Sequence, residues 1–383
     1  MSSDKTFLNY LIKVIFFSFA LLLLIASINF KIDPTNVYIK YSKSSKKEAD
    51  SLNSFIEKLV NSNNGILMKN YVWNERDIYL NLAKYNNDAE CIILGSSQII
   101  QISSLRKNKS LTNTCDSLVN LGVSGAVLED YIVLSQSILE NQKGPKKIII
   151  AINAWTLNFN RDSRWLHYKN DYDRALKKII TGNENMDKTI STTASYEILL
   201  IKNLINIKYF ISSLNLINSK KNYSIELAKD FNYELGTTHR VLLSDGSIIS
   251  SAKDIKSRKN NNEELFNKKK WGMQNWGIIP EKWYDENAIE IFIKLVNQLK
   301  NNFNVIFLIT PYHPYVWSNE KQPAVKAMRN VELKINEIAK MVQVDVVGSF
   351  NPEKVGCDRD EFIDEIHATD LCLSKLEKVY VSN

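Results

Sequence analysis

A chain of 383 residues that is 44% hydrophobic can bury a substantial core, as one large domain with insertions or as two smaller ones. Its formal charge of +7 comes mainly from lysines scattered among asparagines, with no Arg-rich stripe and no nucleic-acid motif, which argues against nucleic acid as a partner. Such a surface suits an anionic membrane face or an acidic polymer as well as it suits plain solvated lysines.

The first element is apolar. From Leu11 to Phe30 the chain runs LIKVIFFSFALLLLIASINF, interrupted only by Lys13, Ser18, Ser27 and Asn29, about the length needed to cross a bilayer as a helix. Lys13 can snorkel to the near interface. A cleaved signal peptide is the rival reading; the length of the run and the lack of a clean A-x-A site favour an uncleaved anchor. Lysines lie on both sides, at Lys5 and Lys13 and again at Lys31, Lys40, Lys43, Lys46 and Lys47, so charge does not settle the orientation. A short tail before one span is the usual signal-anchor arrangement. It puts residues 1–10 in the cytoplasm, 11–30 across the cytoplasmic membrane and the body outside.

Within 31–88, Glu48 to Val60 and Asn74 to Lys84 have helical spacing and read as a stalk or lead-in. From 89 to 383 the pattern alternates. A strand at Cys91–Leu94 runs into Gly95, Ser96, Ser97 and a helix start; a strand follows near Leu118–Leu121, then a helix at Ala126–Glu140. KKIIIAIN at Lys146–Asn153 is almost wholly apolar, as a strand covered on both faces must be. NVIFLIT at Asn304–Thr310 repeats that signature between helices at Asn287–Leu299 and Ala324–Met341, and VQVDVVGSF supplies a last strand. This order predicts an α/β domain with a doubly wound, flavodoxin-like parallel sheet.

The alternation fails at about 156–284. That segment holds the helical run SYEILLIKNLINIKYFISSLNLI, a polar Asn/Lys stretch, and HRVLLSDGSIISS, in which Asp245-Gly246 signals a hairpin turn. It is expected to be an insertion that caps one sheet edge and contributes to a substrate site. Its apolar helix is expected to pack on the main domain, since Lys202, Asn203, Asn206 and Lys208 interrupt any second span.

Four cysteines suit an oxidising compartment. Local bridges Cys91 to Cys115 and Cys357 to Cys372 would each stabilise by about 3 kcal/mol; four buried thiols are the alternative. No C-x-x-C pair occurs and the four histidines lie far apart, which argues against zinc or another metal. His167 and His239 have no evident partners.

Polar residues recur at strand ends: Ser96 and Ser97 after the first, Gly125 in NLGVSGA after the second, Asn153 in AINAW after the third, and Asp364 with His367 in DEIHATD after the last. A serine hydroxyl needs an adjacent base, and an Asp three residues before a His can hold the imidazole in the required tautomer. Each also has a plain structural reading as a cap, a turn glycine or a local Asp/His bond. In order and kind, the set resembles the SGNH/GDSL hydrolases over roughly 89–155 and 285–383. That resemblance implies Ser97 as nucleophile, His367 as base, Asp364 as its partner, and an oxyanion hole from Ser97, Gly125 and Asn153. Two departures stand out. Gly95-Ser96-Ser97 replaces Gly-Asp-Ser, which leaves Ser96 as a competing nucleophile, and Ala154 follows Asn153 where Asp is frequent.

The anchor and the variant first block are similar to the envelope branch of that family, proteins of polysaccharide O-acetylation and of teichoic acid D-alanylation. The branch implies acyl transfer to or from a surface glycan, with a membrane acyl-donor partner if the step is transfer and no cofactor. A catalytically silent glycan-binding or scaffold subunit would keep the fold without needing Ser97. His313 in TPYHPYVW, with Tyr312, Tyr315 and Trp317, is a candidate sugar-binding wall or simply a structural Pro-rich loop.

Overall fold

The computed structural model describes residues 2–33, 38, 46–68, 73–85, 89–141, 145–181, 200–219, 225–228, 239–267, 284–318 and 323–376. The start of the apolar helical run, 195–199, and most of the Asn/Lys stretch after it lie outside these. The chain forms two compact units, one of Met1–Ser45, Asn70–Asn74 and Asp187–Ser224, the other of Lys46–Lys69, Glu75–Met186 and Ile225–Asn383.

The first unit is built on α1 (Ser2–Ile32). Its Asn9–Ile32 stretch is long and apolar enough to cross a membrane, and its large side chains are exposed along its length. Ser27 satisfies its hydroxyl inside the helix, donating to the Leu23 carbonyl at 2.7 Å. A second helix, Ile207–Ser219, packs on α1. The described part of the apolar run, expected to pack on the main domain, thus groups with α1 in the first unit. The run is broken at Asn206, whose Oδ1 accepts from the Lys208 and Tyr209 N–H groups at 2.8 and 3.2 Å and so caps a new helix.

In the second unit, β2 (Cys91–Ser96), β3 (Leu118–Val123), β4 (Lys147–Ala151), β7 (Asn304–Ile309) and β8 (Asp345–Gly348) form a wholly parallel sheet in the order β3-β2-β4-β7-β8. Taken in chain order these five strands lie as 2-1-3-4-5. The helices α2 (Lys46–Val60) and α3 (Glu75–Lys84) pack within this unit and are no detached stalk: α3 buries Ile78, Tyr79 and Leu82 completely or nearly so. A small antiparallel sheet joins β1 (Ile66–Leu67) to the hairpin β5 (Val241–Leu242) and β6 (Ile248–Ile249). The hairpin turn lies at Asp245-Gly246, with Gly246 at φ +82°, and Asp245 accepts the outward N–H of Asn120 on edge strand β3 at 2.6 Å. An otherwise open sheet edge is thereby covered.

The alternation of side chains along each strand gives the sheet two faces. On one, Phe307 meets Phe292 of the helix Glu286–Lys300 at 5.5 Å between ring centres. On the other, Ile93, Ile149, Ala151, Ile306, Leu308 and Val347 share a core with Ile99, Ile102, Leu111, Phe362 and Leu376. This face is covered by short turns and coil from 97–117 and 350–376. Both coverings are stapled by disulfides, Cys91 to Cys115 and Cys357 to Cys372. The helix start expected after Ser97 is a single 3-10 turn, Ser97–Ile99.

Candidate active site

The end of β2 is shaped by two glycines. A Cβ on Gly95 would lie 2.7 Å from the Ile99 side chain and one on Gly122 would lie 2.9 Å from it, so the missing side chains leave room for Ile99 to fold back onto the sheet. Asn120, buried in β3, locks the turn: its Nδ2 donates to the Ile99 and Ile102 carbonyls at 2.7 and 2.8 Å, and its Oδ1 accepts the Gly122 N–H. Ser96 is fully buried and accepts the Gln98 N–H as a cap. Its neighbour Ser97 is half-buried and points to a histidine.

That histidine comes from the far end of the chain. The Cys357 to Cys372 bridge closes a loop in which Phe362 pairs with Ala368 and Ile363 N–H donates to the His367 carbonyl at 2.8 Å, and Lys375, just past the bridge, holds Glu361 at 2.6 Å. Within it Asp364 Oδ1 accepts the Ile366 and His367 backbone N–H groups at 3.0 and 2.9 Å. His367 Nδ1 lies 2.7 Å from Asp364 Oδ1, and His367 Nε2 lies 2.9 Å from Ser97 Oγ. Gln98 ties the two chain segments together, donating to the Ile366 carbonyl at 3.4 Å. Ser97, His367 and Asp364 therefore form one hydrogen-bonded line.

Asp364 is the charged end of that line. Burial alone would raise the Asp364 carboxyl, but its bonds to His367 and the Ile366 N–H, with the nearby Arg258, hold it down at about 2. An ionised Asp364 accepts the hydrogen bond of the His367 Nδ1–H, and in that tautomer Nε2 is the acceptor that faces Ser97. Arg258, on the helix Ala252–Asn267, donates to Asp364 Oδ2 at 2.8 Å, and its neighbour Lys259 donates to the Asp360 carbonyl at 3.1 Å.

The other strand ends are arranged differently. Gly125 lies after β3 with φ +61°, and the space where its Cβ would sit is taken by the Arg164 guanidinium and bounded by the Asp162 carboxylate at 2.8 Å. Burial opposes ionisation of Asp162, yet Arg164, bound through Nε at 2.9 Å, and Arg76 keep its carboxyl below the usual range. Next to this turn, Glu75 accepts both the N–H and the hydroxyl of Ser124 at 3.1 and 3.0 Å. Asn153 is buried after β4; one of its amide hydrogens goes to Tyr131 Oη at 3.4 Å, and Tyr131 in turn donates to the Ala151 carbonyl at 2.6 Å.

The aromatic wall expected at 312–317 needs correction. Tyr312 is fully buried against Phe350, with ring centres 5.2 Å apart, and has no face to offer a sugar. His313 is buried too. Its Nδ1 accepts the Tyr315 N–H at 3.1 Å, and its ring packs edge-on to Phe362. Burial and the nearby Arg359 push its pKa down to about 4. The outward members are Tyr315, under Arg359 at 4.3 Å, and half-buried Trp317, under Arg329 at 5.1 Å. His167, left without a role by the sequence, lies 2.6 Å from Asp77.

Three residues at the site had no role in the sequence reading: Asn120, Gln98 and Arg258. Asn120 carried a signal, a polar side chain inside the apolar strand LVNLGV. Among the described residues one group has metal-ligand proximity, Cys357, Glu361 and Cys372, but its sulfurs are joined to each other and its carboxylate is paired with Lys375. No protein-family model matches the chain, and no curated protein matches it either.

Proposed function

We propose that this chain is a membrane-anchored serine acyl-esterase or O-acyltransferase of the SGNH type that acts on O-acyl groups of a cell-surface glycan. Its sheet unit works outside the cytoplasmic membrane, and 156–284 is an insertion in a flavodoxin-like domain, a reading supported by the 2-1-3-4-5 strand order. The observation that carries the proposal is the line from Ser97 Oγ through His367 to Asp364, at 2.9 and 2.7 Å.

In the proposed reaction Ser97 Oγ attacks the ester carbonyl while His367 Nε2 takes its proton, and Asp364 stabilises the imidazolium that results. The oxyanion is received by the N–H groups of Ser97 and Gly125 and by the amide hydrogen of Asn153 not given to Tyr131. His367 then returns the proton to the departing sugar oxygen, leaving an acyl-serine. Water releases the acyl group in an esterase. In a transferase a sugar hydroxyl accepts it, with Ser97 loaded beforehand by a membrane acyl-donor partner.

A second reading, a silent glycan-binding or scaffold subunit, draws on one observation: Arg164 walls in Gly125, the second oxyanion donor. A fluorophosphonate probe separates the two. Labelling that survives Ser96→Ala and vanishes in Ser97→Ala is expected, with ester hydrolysis by Ser97→Ala, His367→Ala little worse than by either single variant. No labelling of the folded full chain would favour the silent subunit. Mass analysis of surface glycans from cells with and without Ser97 then distinguishes removal of acyl groups from their addition.

A further inference from the structure

The Ile207–Ser219 helix is built inside out. Its two most buried positions carry polar groups, with Leu216 and Phe210 half-buried beside them: Ser213 Oγ donates to Asn29 Oδ1 at 3.1 Å, and Tyr209 Oη donates to Asp33 Oδ1 at 2.5 Å. Asn29 in turn donates to the Leu204 carbonyl at 2.8 Å, so the C-terminal end of α1 and the start of this segment are joined by buried hydrogen bonds. The outer side carries Ile207, Ile211, Leu214 and Ile217, each at least 40% exposed, and Ile201 and Ile205 extend the apolar surface before it. A third side, Lys208, Ser212 and Asn215, is exposed and polar.

In water this arrangement is the wrong way round, since apolar side chains gain by burial and hydroxyls do not. In a bilayer it is the expected one, because small polar groups hold helices together and apolar side chains face lipid. We propose that the apolar side of the 207–219 helix is seated in the acyl chains of the bilayer that takes α1. The inference rests on α1 as a membrane helix and on nothing at Ser97. Three observations favour lipid over a protein partner: the helix packs on α1, whose own large apolar side chains are exposed, the polar anchors fall at the end of the span, and a separate polar side remains for water. Thirteen residues extend only about 20 Å as a helix, short of the ~30 Å hydrocarbon core. The helix therefore lies along the interface or enters one leaflet, where it fixes the rotation of the anchor and stiffens the membrane end of the protein.

The test uses the full chain with both disulfides intact, reconstituted in mixed phosphatidylcholine and phosphatidylglycerol vesicles. A thiol-linked fluorophore is placed at Ile211→Cys, Leu214→Cys, Ser212→Cys or Asn215→Cys, and at Leu22→Cys in α1 as reference. Doxyl-labelled lipid should quench positions 211, 214 and 22 several-fold more than aqueous iodide does, and the order should reverse at 212 and 215. Quenching of 211 and 214 by iodide, with 22 still quenched by lipid, would overturn the proposal while leaving the anchor intact. So would protection of 211 and 214 from both quenchers, which would mean a protein cover; crosslinking between cysteines at 211 would identify that cover as a second copy. If 22 is not quenched by lipid, the anchor fails and the inference falls with it, whatever the outcome of fluorophosphonate labelling.

Discussion

The Arg258 guanidinium donates to Asp364 Oδ2 at 2.8 Å, on the oxygen opposite the one that accepts the Ile366 and His367 backbone N–H groups. A helix from the chain between β6 and β7 thus reaches the carboxylate that orients His367. Arg258 steadies that carboxylate and also draws on its charge. Arg258→Gln should lower kcat/KM for a small ester by about fivefold, the scale of a partly exposed ion pair worth up to about 1 kcal/mol. It should also shift the acid limb of the pH profile upward, because Asp364 without Arg258 stabilises the imidazolium more strongly. Arg258→Lys should restore part of both. A purely structural contact would change the rate without moving the limb.

The bridge between Cys357 and Cys372 encloses Asp364 and His367, so it constrains the site as well as the fold. Paired Cys357→Ala and Cys372→Ala substitutions should cost about 3 kcal/mol in a denaturant titration. Ester hydrolysis should fall further than the unfolded fraction explains, because the loop then samples positions that break the Ser97 to His367 bond. Activity that tracks only the folded fraction would show that the loop is held by its backbone bonds alone.

At Gly125 two constraints coincide, a left-handed φ of +61° and the Arg164 guanidinium where a side chain would begin. Gly125→Ala should cost about 1 to 2 kcal/mol from the backbone conformation, with Arg164 free to yield only by loosening its hold on Asp162. The substitution keeps the backbone N–H and can act only by shifting the turn that aims it, so if that N–H serves the oxyanion kcat should drop several-fold with KM little changed. A loss of stability with kcat intact would show that the strain at position 125 does not reach the oxyanion.

The strands were the most legible part of the sequence. KKIIIAIN and NVIFLIT are apolar at every central position because both faces of β4 and β7 are covered, and no helix boundary or long-range contact is needed to see it. The placement of Ser97, Asn153 and the Asp364, His367 pair after strand ends followed from that alternation. What escaped depended on contacts distant in sequence. Tyr312 and His313 looked like a surface loop because nothing in TPYHPYVW announces that Phe350 and Phe362 will close over it. Arg258 lies on the Lys- and Asn-rich helix Ala252–Asn267, whose pattern has no apolar stripe to show which side faces the protein. Asn206 looked like an interruption of one long helix and is the cap of a shorter one.

His313 sets the last expectation, on stability against pH. Its Nδ1 accepts the Tyr315 N–H, which only an unprotonated nitrogen can do, and burial beside Arg359 pushes its pKa down from 6.5 to about 4. The unfolded chain therefore takes up this proton first on acidification. Stability from the buried neutral ring is full above about pH 6.5 and is lost as pH falls toward about 4, by up to about 3 kcal/mol. The depressed carboxyl of Asp364 works in a lower window: its contribution is present above the ordinary value of 3.8 and disappears as pH falls through about 2. His313→Asn keeps a capping acceptor and cannot titrate. Urea midpoints measured at pH 7, 5.5 and 4.5 should fall steeply for the natural chain and more gently for His313→Asn. Parallel declines would mean that the proton is taken up elsewhere and that His313 holds its loop in either charge state.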